Sequence, residues 1–443
     1  MILILGGGLA GLSAAWHLAR RLPDVPRLIL EKESEPGGLC RSAERGGFVF
    51  DFTGHYLHLR DPETTRWVLE LLGGELEVVA RRAEIHCRGK RLPFPFQAHL
   101  HGLDAETVAR CLVDFVRARE RPLPEDDTMP FGVWARRVFG DGIAEAFLIP
   151  YNAKLFCADP DELTAEWVAW AVPRPSLEQV VRGALGLPNH GLGYNPTFRY
   201  PRRGGIGRLA AALAEQVGAD LRLGAEVEAV DVARREVRLA GGERLPYERI
   251  VSTIPLPSLL RRVTGDRARE GQEELAELAG RLRWTAVDEV RIGVRRASLA
   301  GGAHWIYFPE PEFPFYRVGF PSNVCPAMAP PGCSSISVEF ARPAGAPVPE
   351  DTALLEAARE GLARAGILEA SERPLLWERA VLDPAYVLFD RHRTPAVGAA
   401  LARLERHGIL SIGRFGAWTY SYMERALIDG RQAAERVAAL VTA

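Results

Sequence analysis

A chain of 443 residues with 47% apolar and 25% charged residues has an ordinary globular composition and is too long for one simple core, so two or three domains are expected. Fifty-five Lys and Arg against 57 Asp and Glu leave a net charge of −2, which excludes broad electrostatic capture of nucleic acid or anionic lipid. No stretch approaches the roughly 20 apolar residues of a membrane span, and six cysteines without C-x-x-C spacing read as reduced thiols in a cytoplasmic protein.

The chain opens on an apolar run, Ile2 to Leu5, followed by Gly6, Gly8 and Gly11 in G-x-G-x-x-G spacing. The run has no basic residue before it and is broken by glycines, so a buried strand and turn are expected rather than a leader. A helix follows with Leu12, Ala15, Trp16 and Ala19 on one face, and "RLILE" then reads as a second strand ending in Glu31, 20 residues beyond Gly11. Strand, glycine turn, helix, strand and acid make a dinucleotide-binding unit. The glycines let the backbone of residues 6–11, including Leu9 and Ala10, approach a pyrophosphate, and the helix N-terminus offers unpaired N–H groups to it. Glu31 is placed to accept hydrogen bonds from ribose hydroxyls, with Lys32 beside it. The turn alone does not separate NAD from FAD.

Further along, "DPETTRWVLELL" opens with an Asp cap and "AETVARCLVDFVRARE" is amphipathic, so residues 61–189 read as mainly helical. "LRLGAEVEAVDV" holds two short strands, and "YERIVSTIPLPSLL" is a strand running into a turn. Residues 266–394 mix helix with aromatic strands. Within them "HWIYFPEPEFPFYR", 304–317, gathers six aromatics, three prolines and one arginine. Isolated rings of this kind fit a core hairpin. They also fit a slot for a flat base beside a planar cation that pairs with phosphate. "GILSIGRFGAW" supplies a last buried strand, followed by Gly413 and Arg414, and "ALIDGRQAAERVAALV" reads as a helix with Leu427 in its first turn. His55 and His58 are spaced H-x-x-H without the carboxylate pattern of a zinc site, and no metal is expected. Neither a G-x-S-x-G elbow nor a local Cys–His pair offers a protein nucleophile.

"EKESEPGGLCRS", 31–42, resembles the E-(x)n-G-G-x-x-R-S/T signature of the FAD superfamily that includes amine oxidases, protoporphyrinogen oxidases and UDP-galactopyranose mutases. The likeness implies that Gly38, Leu39 and Arg41 contact FAD. It also implies that the backbone of Val227 meets the adenine and that Gly413, Arg414 and Leu427 lie near the flavin. Four further blocks are similar to the UDP-galactopyranose mutases, especially the eukaryotic type, along most of the chain. "DFTGHYLHL" resembles the segment in which a glycine and a histidine, here Gly54 and His55, face flavin N5. "FLIPYNAKLF" and "NPTFRYPRRGGIG" resemble blocks that line the substrate site, here with Tyr151, Asn152, Phe156 and Asn195. "GRFGAWTYSYMERALIDG" resembles the ending whose tyrosine, here Tyr420, touches the diphosphate. The W-x-Y-F-P-E and F-Y-R elements put Trp305, Tyr307 and Arg317 where that family holds the nucleotide.

The resemblance implies an α/β fold. A discontinuous Rossmann-like FAD-binding domain would comprise 1–60, 190–265 and 395–443. A mainly helical cap would comprise 61–189, and a mixed sheet-helix substrate region 266–394. It implies a redox-neutral pyranose/furanose mutase of a nucleoside-diphosphate sugar, UDP- or GDP-linked, in which N5 of reduced FAD attacks the anomeric carbon. NAD(P)H is a possible electron source. Arg317, Tyr307, Tyr420 and His55 would be the catalytic groups. The protein would work without membrane or nucleic acid, possibly as a homo-oligomer. Two departures stand out: Ala171 lies where the eukaryotic-type mutases carry a second diphosphate arginine, with Arg174 the nearest, and "SYMERA" replaces their polar residues after the terminal tyrosine. The FAD signatures fit a true oxidoreductase of an amine, porphyrinogen or polyene equally well, and the missing arginine also fits a non-catalytic binder of sugar nucleotides.

Overall fold

A computed structural model describes residues 1–122, 126–168, 172–189, 195–265 and 269–442. A five-stranded parallel sheet lies in the order 409–411, 249–252, 2–5, 27–30, 221–222. Its strands therefore come from the start, the middle and the end of the chain. Leu3 sits between Leu28 and Ile250, and Ile250 in turn pairs with Ile409. The central strand is short and apolar because both its faces are covered. Helix Leu9–Arg21 packs against Met423–Thr442 and Gly207–Val217. Gly430 permits the first contact, since a Cβ there would stand 2.5 Å from the Ala10 carbonyl oxygen.

A seven-stranded sheet holds the second layer, in the order 376–387, 284–294, 334–343, 317–319, 305–307, 83–87, 90–93. Its long middle pair runs antiparallel from Thr285↔Pro343 to Val294↔Ser334. A four-stranded sheet of 227–231, 236–239, 244–246 and 263–264 flanks the first layer.

Between 61 and 189 the chain is largely helical. Asp61 caps Pro62–Leu72 by accepting from the Thr64 N–H at 2.9 Å, and Asp104 caps Ala105–Arg119 in the same way. The same segment also carries strands 76–80, 83–87 and 90–93. The last two extend the seven-stranded sheet, because 83–87 pairs parallel with 305–307. Only Trp305–Tyr307, more than 200 residues away in sequence, satisfies the backbone of that edge, so the helical pattern around it hides the strand. Among the described residues no helix is long and apolar enough to cross a membrane.

Candidate active site

A cavity of about 610 Å³ opens along the carboxyl ends of the parallel strands. Gly6, Gly8, Leu9 and Ala10 line one wall, and Glu31 and Lys32 close its far end. Gly38, Leu39, Arg41 and Val227 form a second wall, and His55, Gly413 and Arg414 a third. Gly6 adopts φ +101°, and a Cβ on Gly11 would overlap the Gly6 carbonyl oxygen, so the helix can seat itself directly on the turn. The first turn of Leu9–Arg21 has no acidic residue and no side-chain cap, which leaves its N–H groups for an anion. Glu31 is buried, with one oxygen accepting from the Gly7 N–H at 2.6 Å and the other from the Glu33 N–H at 2.9 Å.

Three residues expected at the cofactor stand off the cavity wall. Gly11 lies beneath it, supporting the turn. Leu427 is buried in the helix packing, where its carbonyl accepts from Ser13 Oγ at 2.7 Å. Gly54 lines a separate small pocket of about 20 Å³, together with Tyr56, Trp305 and Arg317. The Val227 carbonyl is already occupied by Arg262 Nε at 2.8 Å.

The donor set suits a flavin dinucleotide. At the third wall, two buried nitrogens, His55 Nδ1 and Arg414 Nε, have no hydrogen-bond partner among the described residues. Burial, with Arg414 and then Arg317 nearby, pushes the His55 pKa down to about 4, so its ring is neutral at pH 7. Arg414 is fixed from its other nitrogens by the carbonyls of Ser421, at 2.8 Å, and Ala385, at 3.0 Å.

Beyond His55 lies the hairpin Trp305–Tyr307/Arg317–Gly319, in which Tyr307 pairs directly with Arg317. Its six aromatics divide between two jobs. Phe308, Phe313 and Phe315 are at most 2% exposed and belong to the core of the seven-stranded layer. Trp305 stacks on Tyr56 at 4.7 Å and 13°. Tyr307 meets the edge of Tyr151 at 5.2 Å, and Tyr316 and Tyr386 complete a tyrosine wall, 6.3 Å apart. Arg414 Cζ stands 5.1 Å from the ring of Tyr420 and 5.6 Å from that of Tyr386, which ties this wall to the cofactor cavity. Burial pushes the Tyr386 hydroxyl up to about 12 and that of Tyr151 well above its ordinary value, so these groups are neutral donors.

Arg317 differs from the freely forked cation expected of it. Its Nε and Nη2 grip the two oxygens of Glu339 at 2.9 and 2.8 Å, and Tyr316 O–H donates to the same carboxylate. Glu339 is 1% exposed. Among the described residues Nη1 has no hydrogen-bond partner, so one nitrogen rather than two parallel donors is left unengaged. The pair belongs to one cross-strand row, Tyr307–Arg317–Glu339–Glu289. Buried Glu289 is in turn held by Arg291 at 2.9 Å and accepts from the Thr53 N–H at 3.2 Å, which ties the row to the loop carrying Gly54 and His55.

Other expected substrate residues are less directly placed. Asn152 is buried and donates to the Leu148 carbonyl at 2.7 Å along its own helix, and Phe156 is core, edge-on to Trp167 at 5.0 Å. Asn195 accepts from Arg60 Nη2. Position 171 lies outside the described residues, and exposed Arg174 lies 5.4 Å over the ring of Trp134. Glu289, Arg291, Glu339 and Tyr386 carry no motif. The signal of Glu289, Arg291 and Glu339 in the sequence is charged residues inside otherwise apolar strands, "AVDEVRIGV" and "SISVEF"; Tyr386 has none.

A family model described as flavin containing amine oxidoreductase matches residues 9–438. The chain belongs to that family. Within the amine oxidoreductases, a crystal structure of reduced UDP-galactopyranose mutase superposes with a TM-score of 0.91 at 29% identity, covering 100% of this chain and 94% of the other. Coproporphyrinogen III oxidase of Propionibacterium freudenreichii subsp. freudenreichii is 27% identical over 183 residues, 38% of this chain and 34% of the relative. Protoporphyrinogen oxidase 1, chloroplastic, of Arabidopsis thaliana is 28% identical over 167 residues, 36% of this chain and 31% of the relative. The match thus spans about a third of the length of these two curated relatives. Fold and family together make this chain a mutase-like FAD flavoprotein with an α/β architecture.

Proposed function

We propose that the protein is a sugar-nucleotide mutase, interconverting the pyranose and furanose forms of an NDP-sugar with no net redox change. The observation that carries this reading is the Trp305–Tyr307–Arg317 hairpin with its tyrosine wall, set beside the cofactor cavity and linked to it through Arg414. Gly6–Gly11, Glu31, Gly38–Arg41 and Arg414 would hold FAD. When bound and reduced, FAD supplies the nucleophile that displaces the diphosphate from the anomeric carbon, with NAD(P)H the proposed class of physiological reductant. Arg317 Nη1, Tyr307 and Tyr420 bind the diphosphate and receive the charge it gains on leaving. Trp305, backed by the stacked ring of Tyr56, offers a flat face to the base. Neutral His55 accepts or donates one hydrogen bond beside the cofactor without adding charge.

The curated relatives favour a second reading, oxidation of a porphyrinogen. One experiment separates the two. Dithionite-reduced protein is incubated with UDP- and GDP-sugars and analysed for a product of unchanged mass and new retention time. Oxygen uptake is measured in parallel with coproporphyrinogen III. An isomer is expected, without oxygen uptake; oxygen uptake with no isomer overturns the proposal.

A further inference from the structure

The loop between Tyr307 and Arg317 has an uneven chemistry. Pro309, Pro311 and Pro314 carry no N–H, so the segment is rich in carbonyls and poor in donors. Its aromatic side chains turn into the core. Buried carbonyls require partners. One group supplies them. Lys154 Nζ donates to the carbonyls of Phe308 at 2.8 Å, Phe313 at 2.8 Å and Phe315 at 3.3 Å, and also to that of Glu310. An ammonium is the one side-chain group that directs three donors from a single point. Burial holds its pKa down to about 8, against the opposing carboxylates of Glu310 and Glu312. A buried charge of this kind is a costly way to close a loop, which argues that its geometry is put to use.

The helix that carries Lys154, Ile149–Phe156, also carries Tyr151, whose ring meets Tyr307. On the opposite side the Glu310 carboxylate is held by His86 Nδ1 at 2.6 Å. The loop is thus pinned from both sides, and its two ends are Tyr307 and Arg317, paired across the hairpin.

We propose that Lys154 is a positioning residue: by gathering the carbonyls of 308–315 it fixes Tyr307 and Arg317 at the spacing that recognises a nucleoside diphosphate. This rests on the mutase reading of the site. Lys154 touches neither substrate nor cofactor. Its effect is transmitted through the loop to the two diphosphate-binding side chains.

The test compares UDP with uridine as probes, by titrating intrinsic fluorescence of the FAD-loaded protein. Lys154→Met retains length and loses the donors. It is expected to keep FAD and to bind UDP about tenfold more weakly, the equivalent of one lost charge-assisted contact, while uridine affinity changes little. Lys154→Arg is expected to fall between Lys154→Met and wild type. A purely structural role weakens both probes alike and leaves their ratio unchanged; that result, or wild-type UDP affinity in Lys154→Met, overturns the proposal. If Lys154→Met fails to fold, Glu310→Gln loosens the same loop from the His86 side and must lower the UDP-to-uridine ratio, and an unchanged ratio is again fatal. Wild-type protein that binds neither UDP nor GDP removes the mutase reading itself, an outcome distinct from normal wild-type binding with an insensitive Lys154.

Discussion

Replacing Arg317 alone produces two effects at once, and the structure shows how to separate them. Arg317 has a side-chain exposure of 15% and Glu339 of 1%, and two nitrogen–oxygen contacts of 2.9 and 2.8 Å join them. Arg317→Met leaves the Glu339 carboxylate buried with Tyr316 O–H as its remaining side-chain donor. Breaking a buried pair from one side costs about 3–5 kcal/mol, because the surviving charge has no counter-ion. Arg317→Met/Glu339→Gln removes that charge and is expected to regain more than half of the loss. Urea unfolding at pH 7, followed by tryptophan fluorescence on FAD-loaded protein, measures both variants. Burial already raises the Glu339 pKa, and removing Arg317 raises it further. A raised carboxyl is protonated in the folded chain and ionised in the unfolded one across the window between its two pKa values. Stability there falls as pH rises, so Arg317→Met must recover stability in acid, and the double variant must not. On the proposed mutase reading, turnover is expected to stay low in both, by the equivalent of about 2.7–4 kcal/mol, since neither carries the cation proposed to meet the leaving diphosphate. An unfolding midpoint for Arg317→Met equal to that of wild type, or a double variant no more stable than the single, refutes the claim that Glu339 depends on Arg317.

Two further expectations concern Gly11 and Asp51. Gly11→Ala places a methyl group on the Gly6 carbonyl oxygen and so pushes the helix off its turn; purified protein is expected to carry much less FAD, and full flavin absorbance would contradict the packing argument. Asp51 is buried among Ser42 Oγ at 2.6 Å, the Ile206 N–H at 3.0 Å and the Tyr200 hydroxyl, and burial pushes its pKa up to about 6. The folded chain therefore holds a proton that the unfolded chain releases between pH 4 and 6, and about 3 kcal/mol of stability is lost as pH rises through that window. Asp51→Asn has no such slope, so its stability relative to wild type must rise between pH 4 and pH 7 in urea titrations; parallel curves would exclude the shift.

What was legible in the sequence was local. Gly6, Gly8, Gly11 and Glu31 belong to one strand–turn–helix–strand unit, in which each residue's job follows from its neighbours, and the structure gathers that unit around one cavity. Residues 304–317 announced rings and a cation together, but not which rings face the core. That division follows from strand alternation and the proline loop, which set Phe308, Phe313 and Phe315 against the helix Asp351–Arg364 and leave Trp305 and Tyr307 on the other face. Glu339 and Glu289 were illegible because their meaning depends on register: Arg317 meets Glu339 only when two strands pair residue for residue. Lys154 was quoted inside a motif yet assigned nothing, since its partners are carbonyls, which no side-chain pattern records. Strands 83–87 and 90–93 form a local hairpin inside a mainly helical segment, and their place in the seven-stranded sheet depends on the distant partner 305–307.

The pairing of Arg317 with Glu339 bears on the proposed chemistry as well as on stability. In a redox-neutral isomerisation the diphosphate must leave the anomeric carbon and then return to it within one turnover. A buried guanidinium with no counter-ion would hold the free dianion tightly and favour the dissociated state. Only interactions that strengthen in the transition state accelerate such a step; uniform grip on the anion does not. Glu339 lowers the net charge of the slot while fixing the orientation of Nη1, and the tyrosines around it add neutral donors that stay protonated at any physiological pH. An oxidase would have little use for this arrangement, because its substrate leaves no anion to be recaptured. The same slot thus explains why the arginine is present, why it is paired, and why hydroxyl groups rather than further cations surround it.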